Sequence, residues 1–206
     1  MVLKVVEDLK NRSGLKTKPF LYIELKKMAE FKLENNKLSR KELKNKAVAE
    51  NIFQFDTENR NKEVAAVTIK RLEVLDDFLL DKLLNDVIDV SKQISIYSIM
   101  KTDRLFFEFI EEVYKEKYKI GDNYLSDKDF SLFFKHKAEQ SERVDSWADY
   151  TYYKLKQVFI RILFEAGFIN DQKEREIKKP LIPEEIIDHL RSKGEQRFVE
   201  AMLGGV

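Results

Sequence analysis

Apolar side chains at Thr151, Leu155, Val158, Phe159, Ile162 and Leu163 follow the i, i+3, i+4, i+7, i+8 spacing that a helix turns onto a single face. A chain with that stripe must build a long amphipathic helix, read here from Ser146, and must bury its apolar face against something. Gly167 ends the helix, because glycine takes the left-handed cap conformation without a Cβ clash. Beyond it the period changes. Phe168 with Ile169, and Glu176 with Ile177, are short β-compatible runs on either side of a polar, basic centre, the pattern of a tight hairpin.

A helix stopped by glycine and followed at once by a basic hairpin is the layout of the last helix and wing of a winged helix-turn-helix. Upstream, Ser126 followed by Asp127, Lys128 and Asp129 reads as an N-cap with an acidic first turn. It opens a helix over 127–138 that turns Phe130, Phe133, Phe134 and Ala138 inward. On the second helix, Ser146, Tyr150, Tyr153, Lys154, Gln157 and Arg161 stand opposite the stripe, each able to meet a phosphate or a base edge if that face enters a groove. Simple solvation accounts for such a polar face equally well. Recognition helices present their early residues to the bases, so Tyr150, Tyr153, Lys154 and Gln157 are the expected contacts, with Thr151 left to cap or pack. An extended wing would alternate its side chains and place Lys173, Arg175 and Lys179 on one surface as phosphate contacts. Trp147, at the edge of the stripe, is expected to anchor the helix on its predecessor.

The remainder reads as helices. Six Gly and three Pro in 206 residues, with 36% charged, suit a mainly α chain better than a sandwich or barrel. A helix over 19–35 starts at Pro19, and the next runs to about Glu50 from a capping box of Ser39 and Glu42. Asn51 to Phe55 forms an extended connector with its aromatics tucked beneath the bundle. Further helices run from Thr57 through Leu75, with Arg60, Lys62, Lys70 and Arg71 on the polar side, and then over 76–84, 87–99 and 102–118. Pro183 and Gly194 introduce two short helices at the far end. Residues 1–9 fit a short strand or a helical turn, and 11–19 is a basic, turn-rich linker, with Lys10, Arg12, Lys16 and Lys18 in reach of phosphate. The expected organisation is an N-terminal helical bundle over 1–100, then a winged helix-turn-helix domain over 101–206 with a small β-hairpin wing and C-terminal helices.

Several function classes drop out. The chain has no Cys, which removes disulfides, thiolate zinc sites and cysteine nucleophiles and suits a reducing cytoplasm. Every apolar run is broken by charge before the ~18 residues a membrane span needs, and no signal peptide is visible. A cytoplasmic location without membrane contact is therefore expected. His136 and His189 each lack a second ligand at i+3 or i+4, and no cofactor-binding or hydrolase motif occurs, so no metal, cofactor or catalytic residue is assigned. With a net charge of only +1, any nucleic-acid surface has to come from segregated charge.

Four stretches resemble the BrxA family of bacteriophage-exclusion (BREX) defence operons: KPFLYIELKKMAE, NIFQF, IYSIMKTDRLFFEFIEEVYKEK, and SDKDFSLFFKHKAEQSERVDSWADYTYYKLKQVFIRILFEAGFI. The resemblance covers roughly residues 15–204 and is most specific from Phe133 and Phe134 through Lys137, Gln140, Trp147, Thr151, Lys154 and Leu155 to Gly167. It implies a non-enzymatic cytoplasmic protein with a NusB-like helical bundle, a winged-helix portion and double-stranded DNA binding. It also implies work beside a methyltransferase, an ATPase and a phosphatase-like protein. Winged helices and helical bundles serve in other ways too, so an adaptor that docks defence subunits, or an RNA binder acting through the bundle, stand beside that expectation.

Overall fold

The computed structural model describes Leu15 and residues 19–204, so the expectations for 1–9 and for Lys10, Arg12, Lys16 and Lys18 lie outside the described residues. The first half is built from α1 (Tyr22–Glu34), α2 (Arg40–Ala49), α3 (Glu58–Leu72), α4 (Asp77–Asn85) and α5 (Ile88–Thr102). Local chemistry sets their starts. Ser39 and Glu42 form the full capping box on α2, Thr57 caps α3 through the Arg60 amide, and Asp76 caps α4 through the Leu79 amide. Pro19 does not open α1. Leu21 turns left-handed (φ 52°) and α1 begins only at Tyr22, while Arg71, expected on a polar surface, is fully buried on α3 and donates to the carbonyls of Phe20 (2.6 Å) and Pro19 (2.9 Å). Burial lowers the Arg71 guanidinium to about 10, still far above neutrality.

α5 is enclosed on nearly every side, with Val90, Ile94, Ile96, Tyr97, Ile99 and Met100 all in the core. A helix apolar all round belongs inside, and small residues let its neighbours approach. Ser91, Ser95 and Ser98 do this, and the Ser95 and Ser98 hydroxyls are satisfied by carbonyls of their own helix, Ser91 O at 2.9 Å and Ser95 O at 2.7 Å. Asp103 then caps α6 (Arg104–Phe109), which passes through a π-helical turn (Ile110–Tyr114) into α7 (Lys115–Lys119).

α8 (Asp127–Gln140) starts on the Ser126 cap, which is completed by the Asp129 carboxylate. A short α9 (Glu142–Asp145) follows, and the long helix α10 (Asp149–Glu165) begins three residues later than its apolar stripe suggests. The reason is local: the amides of Ser146 and Trp147 close the turn of α9, on the carbonyls of Glu142 (2.9 Å) and Val144 (3.0 Å). At the far end Gly167 (φ 79°) donates to Phe164 O and Phe168 donates to Leu163 O, the paired bonds of a Schellman cap.

The expected hairpin wing does not form a ladder. Among the described residues there is only an isolated antiparallel bridge between Ile169 and Ile177, joined by one between Tyr124 and Glu176. Arg175 is left-handed (φ 57°), which breaks the pleat, and the Asp171 carboxylate gathers the amides of Lys173 and Glu174 into a turn instead. The Tyr114 hydroxyl, whose ionisation burial pushes well up, donates to Lys178 O at 2.7 Å and fastens this loop to the π turn.

α11 (Glu184–Ser192) and α12 (Gln196–Leu203) return across the first half. Phe198 packs between Tyr97 and Phe107, at 5.6 and 4.5 Å between ring centres, and Lys101 pairs with Glu195 at 2.7 Å, both side chains only 9% exposed. Buried apolar residues from Leu15 to Leu203 make one continuous core cluster.

Candidate nucleic-acid interface

The buried stripe of α10 is the one its spacing predicts from Leu155 onward, extended by Ile160, while Thr151 is only half-buried. It sits on α6 and α8 through Phe159, whose ring meets those of Phe106 (5.1 Å), Phe109 (5.4 Å) and Phe134 (5.9 Å). A partly buried ionic cluster ties α8 to α6 and the π turn. Lys137 of α8, 5% exposed, reaches Glu108 (2.9 Å) and Glu112 (2.6 Å), while Arg104 binds Glu108 from the other side at 2.6 Å. Burial opposes the ionised Glu108, but the hydrogen bonds from Lys137 and Arg104 outweigh it and hold the carboxyl below its ordinary range. Trp147 is half-buried and packs on Tyr152 at 5.9 Å, whose hydroxyl donates to Val144 O at 2.6 Å, so the tryptophan steadies α10 on α9.

Opposite the stripe, Tyr150 and Tyr153 are 67% and 53% exposed. From here the expected contacts divide between two flanks. Lys154, Gln157 and Arg161 line a cleft of about 700 Å³, whose far wall is the entry to α1 (Leu21 to Glu24), with Arg60 of α3 and Lys92 of α5. The Lys154 ammonium stands 5.3 Å from the Tyr150 ring and Arg161 pairs with Glu165. Tyr153 lies on the other flank, under the Lys156 ammonium at 5.8 Å, beside a groove of about 390 Å³ lined by Phe130, Phe134, Ala138 and Tyr152.

The three loop cations do not form the single stripe that alternation predicts. Arg175 turns to the Asp127 carboxylate at the start of α8, which Lys156 also reaches at 3.2 Å; these two cations hold that carboxyl below its usual range. Lys173 stays exposed on the turn, and the Lys179 ammonium lies 5.9 Å from the Tyr118 ring at the edge of a separate cleft against α11. Sequence reasoning missed Arg60 and Lys92 as neighbours of α10. Their only signal was a place on the polar side of their own helices, and nothing in the spacing of residues that far apart says they meet.

Residues 10–194 match the sequence profile of the family described as BrxA. The chain is 47% identical over 201 residues, 97% of its length and 100% of the relative's, to "BREX protein BrxA" of Bacillus cereus (strain H3081.97). It is 24% identical over 153 residues, 74% of its length and 77% of the relative's, to "BREX protein BrxA" of Paramagnetospirillum magneticum (strain ATCC 700264 / AMB-1). The fold matches the crystal structure of an uncharacterized protein from Magnetospirillum magneticum with a TM-score of 0.80, at 21% identity, over 94% of this chain and 98% of that one.

Proposed function

The chain belongs to the BrxA family, and from that membership we propose that it is a non-enzymatic component of a BREX phage-defence system that binds double-stranded DNA through α10 and the loop after it. The observation that carries this reading is the outward face of α10. Two exposed tyrosines, Lys154, Gln157 and Arg161 occupy one side of a helix whose other side is locked into the core. In this reading α6, α8 and α10 are the three helices of a helix-turn-helix unit within a domain over 101–206, and the bridged loop of 168–178 is a shortened wing that exposes Lys173. Lys154 and Gln157 reach the groove, Arg161 and Lys173 meet phosphate, and the domain over 1–100 carries the unit. The protein works in the cytoplasm beside the other BREX subunits, a methyltransferase, an ATPase and a phosphatase-like protein.

Titration of a labelled duplex over a range of salt tests the reading. Each phosphate contact releases about 0.9 counterion, so Lys154→Ala should weaken duplex binding and lower the slope of log K against log salt by about one, with the fold intact. An unchanged slope with native stability would sink it. The competing reading is a protein adaptor. Leu181, 87% exposed while Gln93 holds its carbonyl at 2.8 Å, favours it by offering a preordered apolar contact. In that case no form of the protein would show salt-dependent DNA affinity.

A further inference from the structure

The cleft beside α10 has two walls, and only one of them belongs to the helix-turn-helix unit. Four basic side chains line it, Arg60, Lys92, Lys154 and Arg161, against two acidic ones, Glu24 and Glu165. Glu165 is taken by Arg161. Neither Lys92 nor Lys154 has an ion-pair partner among the described residues, and both line the cleft. The Arg60 guanidinium lies over the Phe55 ring at 5.4 Å, and both residues line the cleft. The far wall is also preordered: the buried Arg71 pins the carbonyls of Pro19 and Phe20, and Leu21 is held left-handed where the chain enters α1. The open cleft, of about 700 Å³, has room for a sugar-phosphate strand.

We propose that Arg60 and Lys92 of the first five helices form a second phosphate-binding wall, so that one backbone strand of the duplex runs in the cleft between them and the Lys154–Gln157–Arg161 face of α10. The inference rests on the DNA-binding reading above and extends it to residues outside the helix-turn-helix unit. Gln157, an amide between cations, serves the strand as a neutral donor without adding charge. Closely spaced cations on facing walls let several phosphates be neutralised over a short length of strand, and the salt dependence records how many.

The test compares three variants on the same labelled duplex at several salt concentrations, each checked by thermal melting. Lys92→Gln should lower the salt slope by about 0.9 and Arg60→Gln with Lys92→Gln by about twice that, as Lys154→Ala lowers it by about 0.9 on the other wall. The Lys92 single variant leaves the Arg60–Phe55 contact in place, so the inference stays testable if the double variant is unstable. A lowered slope for Lys154→Ala with a wild-type slope for Lys92→Gln would overturn the second wall and leave DNA on α10 alone. Absence of any duplex affinity in the wild-type protein would overturn the reading beneath it as well.

Discussion

α5 and α10 meet water in opposite ways. α5 is enclosed over most of its length, with Lys92 reaching the cleft, while α10 buries one face and leaves the other on that cleft. The Ser95 and Ser98 hydroxyls and the Lys101 ammonium of α5 are satisfied inside the protein, by carbonyls of the helix and by Glu195, whereas Lys154 and Gln157 of α10 stand on the cleft. The buried length of α5 holds the core together, whereas the outer face of α10 is open to a ligand. Substitutions of the buried residues of α5 should accordingly be read out in stability and those on the outer face of α10 in affinity.

The largest effect is expected at the centre. Lys101→Ala strands a buried Glu195 carboxylate and should cost about 3–5 kcal/mol in chemical denaturation. Replacing both partners by apolar residues of similar size should recover most of that loss, and no recovery would mean that the pair does more than satisfy itself. Ile99→Ala, on the same helix, should cost about 2–5 kcal/mol through the cavity it leaves.

At the end of α10, Gly167→Ala has open space for its methyl group but must hold φ near 79°, a left-handed conformation that costs about 1–2 kcal/mol. A neutral result in thermal melting would show that the Schellman cap can relax. Acid should loosen α8 by a smaller amount. Burial disfavours the Asp129 carboxylate, but Lys117 and Ser126 outweigh it and depress its pKa, so its stabilisation is complete above the ordinary aspartate value of about 3.9 and fades as pH falls through the lower folded one. Asp129→Asn should flatten that acid limb of the stability curve; an identical limb would place the acid sensitivity elsewhere. The smallest structural effect belongs to the open face, where Tyr150→Ala should move stability by no more than about 0.5 kcal/mol. A larger drop would mean that the ring packs in solution and that the contrast with α5 is weaker than drawn.

Much of this fold was written in local chemistry. The caps at Ser39, Thr57 and Ser126, the stripe of α10 and its glycine stop all act over a few residues, where spacing alone decides which groups meet. The wing expectation failed for a reason of the same range: the Asp171 turn and a left-handed Arg175 compete with the β-ladder, and a period-2 pattern of two residues on each side is too short to win. On the candidate site, the outward residues of α10 were legible because amphipathicity names both faces of a helix at once. Arg175 was not, because its partner Asp127 lies 48 residues away.

By itself, then, the sequence determined that the chain is helical, where most helices begin and end, which face of α10 is buried, and its resemblance to the BrxA family. Only the tertiary structure decided that Arg71 belongs inside rather than on a surface, that the C-terminal helices clasp α4 and α5, and that Arg60 and Lys92 stand across a cleft from Lys154. The physical reason is range. Caps, stripes and turns are settled by neighbours within a turn or two, but the energy that buries a guanidinium or faces two cationic walls comes from groups brought together only when the whole core closes.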